Sequence, residues 1–215
     1  MKRTTTLLCA AASALLFAAG APAQFISGDA YTRYELLAPE THQFKIYYEV
    51  TETTPGAKFY FNPIREGSEA SDESVLDAAT GKPLKFEEVT GVKAKADSPA
   101  GNFNPTSRYI KVYFDRPVPE RGECRIIIIK TYKDDKSYFT EGDSIVFKRS
   151  LSIPRNSVVL PAGYEVVSCS VASQIVAEPD GRLKLAFVNP GSGGPLDVTI
   201  KARKLPQTRK PEVAR

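Results

Sequence analysis

Apolar residues recur at every second position along almost the whole of this chain, and that spacing commits it to β-structure. Phe44, Ile46, Tyr48 and Val50 share one face of a strand, with Lys45, Glu49 and Thr51 on the other. Ile110, Val112 and Phe114 alternate with Lys111 and Tyr113. Leu183, Leu185 and Phe187 form a further face, as do Val198 and Ile200. One segment differs: Cys124, Ile126 and Ile128 alternate with Arg125, Ile127 and Ile129, so both of its faces are apolar and it belongs in the centre of a sheet. Turn signals at 53–56, 79–82, 120–123 and 178–181 separate the runs. Many short strands joined by Gly- or Pro-bearing turns predict an all-β, sandwich-like fold with hairpin and Greek-key connections, immunoglobulin-like in general form.

Helix has little room here, because 16 prolines are scattered through the chain and β-branched and aromatic residues fill the periodic segments. The best helical candidate is a turn or two over 71–78. Segments 66–73 and 92–106 are expected to be long loops. The polar stretch 133–143 breaks the strand pattern. It divides the chain into a sandwich domain at 24–135 and a smaller C-terminal β-subdomain at 136–205, expected to pack on it, with a disordered basic tail at 206–215.

The first 23 residues carry an address. Lys2 and Arg3 precede an apolar run from Leu7 to Ala19, and Ala21-Pro22-Ala23 supplies the small-x-small pattern cut before Gln24. That run is shorter than the roughly 20 residues a membrane-spanning helix needs, so a cleaved export signal is expected, and with it a periplasmic or secreted protein. Cys9 lies inside the run, away from the cut, which argues against a lipid anchor. The chain holds 29 Lys and Arg against 25 Asp and Glu, and six of those cations fall in its last 15 residues. The body of the chain is therefore slightly acidic and lacks the basic stripe of a nucleic-acid binder. Two cysteines remain after the signal, Cys124 and Cys169. An oxidising compartment lets them pair, which would add about 4 kcal/mol, or they sit as two free thiols acting as small apolar residues.

Chemistry-bearing residues are few. The single histidine, His42, rules out a His-Glu-x-x-His zinc helix and stands in a turn before a strand. No Gly-x-Ser-x-Gly elbow is present to position a nucleophilic serine. The glycine-rich 189–195 lacks the Lys-Ser/Thr and helix of a phosphate loop and reads as a hairpin connection. Neighbouring carboxylates Glu87 with Glu88, and Asp134 with Asp135, would point to opposite faces of a strand and so could not flank one glycosidic bond. Phe59-Tyr60-Phe61 puts rings on both sides of a strand, for core packing or for stacking on sugars. No catalytic residue, metal ligand or cofactor is expected.

The order of segments resembles a known domain. A strand at 43–54 precedes the aromatic strand at 58–62. Val75-Leu76-Asp77 follows with Gly81-Lys82-Pro83-Leu84, then a strand, Pro-x-x-x-Gly and strand unit across 109–132. This is similar to the N-terminal β-domain of aminopeptidase N-type zinc aminopeptidases, over perhaps 120 residues, and Ser157 to Val166 resembles the strand that closes such domains. The catalytic domain of that family has no counterpart here, so the resemblance implies a non-catalytic accessory part and carries over no site residue. The expectation is an exported protein-interaction or accessory module of the cell envelope, using a sheet face or strand edge. The alternatives are a carbohydrate- or envelope-binding module using exposed Tyr and Phe, and a carboxylate-dependent glycoside hydrolase. A contiguous apolar surface would mark the first, a coplanar Tyr row the second, and two carboxylates across a cleft the third.

Overall fold

The segment that is apolar on both faces, Cys124–Lys133, is hydrogen-bonded to a neighbour on each side. A computed structural model describes residues 30–67, 69–190 and 194–206 of the chain. The expected signal, the tail beyond Pro206 and the tip of the 189–195 connection lie outside the described residues. In chain order the elements are β1 (Ala30–Leu36), a 3-10 turn (Pro39–Thr41), β2 (Gln43–Glu52), β3 (Phe59–Pro63), β4 (Glu69–Asp77) and β5 (Phe86–Thr90). Then come α1 (Gly91–Asp97), β6 (Arg108–Tyr113), β7 (Cys124–Lys133), β8 (Tyr138–Glu141) and β9 (Ser144–Leu151). The chain ends in β10 (Arg155–Val159), β11 (Tyr164–Cys169), β12 (Gln174–Ala177), β13 (Leu183–Val188) and β14 (Leu196–Lys204).

Three sheets result, and the all-β sandwich-like architecture is as the alternation predicts. The largest has seven strands in the order β12-β13-β10-β1-β2-β7-β4, all antiparallel pairs except β1 with β10. Strands from both sides of the 133–143 segment therefore share one sheet. A four-stranded sheet (β11-β14-β9-β8) and a three-stranded sheet (β3-β6-β5) both cover the same face of it. Under the four-stranded sheet, Phe44, Tyr132, Val158 and Leu185 meet Phe147, Val198 and Ile200. Under the three-stranded sheet, Val75, Ile126 and Ile128 meet Ile110 and Val112. Each such fully buried side chain contributes about 1.5–3 kcal/mol, so the two clusters supply most of the driving force.

Three local expectations are corrected, the first being the loop at 66–73, which gives way to strand β4 at Glu69. Residues 71–78 are not helical: Glu69–Asp77 pairs with β7 as an edge strand, with a bulge between Ser71 and Ser74 where Asp72 adopts φ 53°. Its polar sequence suits an edge, and pairing to an apolar neighbour overrides weak local preference. The only α-helix among the described residues lies instead inside the expected loop 92–106. Thr90 caps it, its Oγ1 accepting from the Lys93 N–H at 3.3 Å.

Candidate functional site

The two small sheets leave a seam between them, floored by β1, β2 and β7. Strand alternation puts Cys124, Ile126, Ile128, Lys130 and Tyr132 of β7 on the covered face, so one inward position is a cation. Lys130 is 3% exposed, its ammonium donating to Asn62 Oδ1 at 2.6 Å and lying 4.9 Å from the Tyr132 ring centre. β9 repeats the device. Ile145, Phe147, Arg149 and Leu151 face inward, and the Arg149 guanidinium lies 5.2 Å from the Phe44 ring, 5.6 Å from Tyr132 and 6.0 Å from Tyr34. Tyr48 and Tyr60, with hydroxyls 3.1 Å apart, tie the large sheet to the three-stranded one at this seam, and burial pushes both phenols up.

Arg149 has an anion; Lys130 has none among the described residues. Arg149 donates to Asp134 Oδ2 at 3.1 Å and to Ser137 Oγ at 3.2 Å. Asp134 also accepts from Ser137 Oγ at 2.7 Å, Ser137 N at 3.1 Å and Lys136 N at 3.2 Å. Burial works against the Asp134 charge, but these donors and Arg149 outweigh it and hold the carboxyl below its usual range. Burial draws the Arg149 guanidinium down, and the like charge of Arg65 adds to that. A cavity of about 190 Å³ opens beside Lys130, lined by three cations, Arg65, Lys130 and Arg149, and by no carboxylate among the described residues. Thr32 lines it too, 2% exposed, with a hydroxyl that has no hydrogen-bond partner among the described residues.

The residues singled out in the sequence lie elsewhere. His42 adopts φ 54° after the 3-10 turn, its Nδ1 3.0 Å from the Tyr138 carbonyl. Glu87 and Glu88 take opposite faces of β5: the Tyr113 hydroxyl donates to Glu87 at 2.5 Å, and Arg108 donates to Glu88 at 2.9 Å. Asp134 is bound into its turn, and Asp135 is exposed. Cys124 on β7 and Cys169 on β11 belong to different sheets, and both thiols are free. Phe59 and Phe61 lie on the helix-covered face of the three-stranded sheet, where Phe61, Phe103 and Tyr109 meet at 66° and 90°. Tyr60 packs inward against the second cluster. Asn189 donates to the carbonyls of Leu151 and Gly194; the hairpin expected at 189–195 is corrected, because β13 before it belongs to the seven-stranded sheet and β14 after it to the four-stranded one. Among the described residues no three His, Cys, Asp or Glu side chains are grouped to hold a metal, and no helix is long and apolar enough to cross a membrane.

The other face of the seven-stranded sheet is covered by no element among the described residues. Its β1-β10-β13 half carries an ion lattice: Arg33 with Glu35 and Glu178, Lys184 with Glu178, and Arg182 with Glu35. Its β2-β7-β4 half carries a small apolar patch among Lys45, Glu49 and Arg125. Register places Tyr47 beside Ile129 and Ile127 beside Leu76, all half-buried.

Known proteins similar to this chain were found by structure. No protein-family model matches the sequence, and no curated protein sequence matches it. Among solved structures, the chain is similar to an aminopeptidase N family protein from Idiomarina loihiensis, at 8% identity and a TM-score of 0.47, over 80% of this chain and 29% of that one. It is also similar to an M1 zinc metallopeptidase from Deinococcus radiodurans, at 12% identity and a TM-score of 0.49, over 82% of this chain and 42% of that one. The chain thus spans less than half the length of either protein. The resemblance in fold is to part of an aminopeptidase N family structure, the family whose N-terminal domain the segment order resembles.

Proposed function

We propose that this chain is an exported, non-catalytic β-sandwich that binds another folded protein of the cell envelope through the open face of its large sheet. One observation carries the reading. β7 is apolar on both faces, and the fold fully buries Ile126 and Ile128 on one face while leaving Ile127 and Ile129 on the other half-buried. Ile127 and Ile129, with Tyr47 and Leu76, remain at the surface as adjoining cross-strand neighbours. A strand of that kind suits a sheet covered on both sides, and the second cover here is a partner. Most charges around this patch are paired within the chain, Glu49 with Arg125 at 2.7 Å and Arg33 with Glu35 at 2.7 Å, while the Lys45 ammonium lies over the Tyr47 ring at 5.3 Å, which favours a largely apolar partner surface. Export rests on the leader-like first 23 residues. The absence of catalysis rests on the single histidine, which stands in a turn against a backbone carbonyl. The sugar-binding alternative asks for a coplanar aromatic row, whereas Phe61, Phe103 and Tyr109 pack edge to face.

The test is capture from the source organism's envelope fraction with the chain 24–215, beside an Ile127→Lys/Ile129→Lys variant. The expected result is one stoichiometric protein that the wild type retains and the variant loses, with slowed amide exchange over β2 and β7 in the complex. A partner held equally by the variant, capture of glycan alone, or concentration-dependent self-association with no second protein would each overturn the reading.

A further inference from the structure

We propose that the cavity at the seam is a binding site for a small organic carboxylate. It lies on the covered side of the large sheet, opposite the docking face, and does not depend on it. Lys130 is the centre of the case. A buried ammonium is costly unless paired, and this one has a single neutral acceptor, Asn62 Oδ1, with no carboxylate within 4.0 Å among the described residues. An ammonium carries three donors, and the protein uses one. Arg65 lines the same space and forms no ion pair among the described residues. Arg149 adds its positive charge to the lining, although Asp134 already serves it. Three cations facing one cavity with no lining anion create a positive potential that an incoming anion relieves.

The remaining lining defines the anion. The Thr32 hydroxyl is buried and has no hydrogen-bond partner among the described residues, a cost that an acceptor in the cavity relieves. Ile46 and Ile153 add apolar surface to the lining. A carboxylate accepts from Lys130, Arg65 and Thr32 together, while a short hydrocarbon body rests on Ile46 and Ile153. A volume of about 190 Å³ is below the 300–1,000 Å³ of sites for drug-sized ligands, so the ligand is small. The larger cavity next to it, of about 500 Å³, shares Arg65 and Arg149 but is also lined by Glu66, Asp134 and Asp197, and so offers an anion no comparable field.

The experiment titrates the chain 24–215 with butyrate in chloride-free buffer, followed by calorimetry and by amide chemical shifts of β1 and β7. Butyramide, phosphate and chloride are the comparison probes. Expected are saturable butyrate binding with shifts centred on Thr32 and Lys130, a rise in melting temperature, and loss of at least about tenfold in affinity in Lys130→Met. Met fills the Lys130 site with apolar volume, so this variant keeps its fold. Thr32→Val, nearly isosteric, weakens binding by a smaller factor. Butyramide binding as tight as butyrate, unchanged affinity in Lys130→Met, or no saturable binding by any probe would overturn the site. Equal binding by phosphate or chloride would overturn its assignment to carboxylates.

Discussion

Replacing Asp134 with Asn tests whether the seam is held by charge. Asp134 and Arg149 have side chains only 10% and 5% exposed, and the carboxylate faces the guanidinium at 3.1 Å. Asp134→Asn keeps the shape of the turn but leaves a buried guanidinium without its anion. Breaking a buried pair from one side costs about 3–5 kcal/mol. The adjoining 500 Å³ cavity admits water to Arg149, which puts the expected loss at the lower end, about 3 kcal/mol. Arg149→Met is different, because Asp134 keeps its donors from Ser137 and Lys136, and Met sits well among Tyr34, Phe44 and Tyr132. Its expected cost is about 1 kcal/mol or less. For a chain of this size 1 kcal/mol is about 2–4 °C, so melting should fall by about 6–12 °C in Asp134→Asn and by no more than about 4 °C in Arg149→Met. The double variant should sit close to Arg149→Met, giving a coupling of about 3 kcal/mol in urea unfolding. The pH dependence has a defined sign. The folded Asp134 carboxyl titrates below its unfolded value of about 3.9, so its contribution is present above that pH and is lost as pH falls through the lower folded value. The gap between wild type and Asp134→Asn should therefore close below about pH 4. Equal damage from both single variants, or additive losses in the double, would refute the asymmetry.

Two further outcomes follow from close packing. A Cβ at Gly91 would stand 1.8 Å from the Asn104 carbonyl oxygen, a backbone atom, so Gly91→Ala should cost about 2 kcal/mol or more and speed amide exchange in α1; an unchanged urea midpoint would contradict this. Cys169 is partly exposed while Cys124 is buried, with its thiol pushed up by that burial, so native protein should label rapidly at Cys169 and at Cys124 only on unfolding. A native chain with no reactive thiol before reduction would refute the free-thiol state.

The fold could be read where side chains alternate with a buried partner, and could not where a neighbour decides the conformation. Phe44, Ile46, Tyr48 and Val50 announce their strand because the face they form is covered along its length. The pairing of β1 with β10 joins residues over a hundred positions apart and leaves no local trace, so the division into an N-terminal sandwich and a C-terminal part says nothing of their shared sheet. β4 hides its nature because an edge strand needs only one partner and tolerates Glu69, Ser71, Asp72 and Glu73. α1 is seven residues long, too short for a second turn of periodicity to appear.

The seam had a signal that alternation alone could have supplied. Along β7 the inward series is Cys124, Ile126, Ile128, Lys130, Tyr132, and along β9 it is Ile145, Phe147, Arg149, Leu151. In each a cation occupies a position that period two assigns to the core. A charge there is either an error of register or a buried group with a task, and register is fixed here by the apolar residues on both sides of it. The geometry explains why the two breaks fall where they do. A seven-stranded sheet covered by two small sheets has one strip of its inner face that neither covers fully, and Lys130 and Arg149 both reach that strip. Search for catalytic motifs passes over such residues because each is alone in sequence. Reading a charge against the phase of its own strand finds them, and the two phases together point to one place.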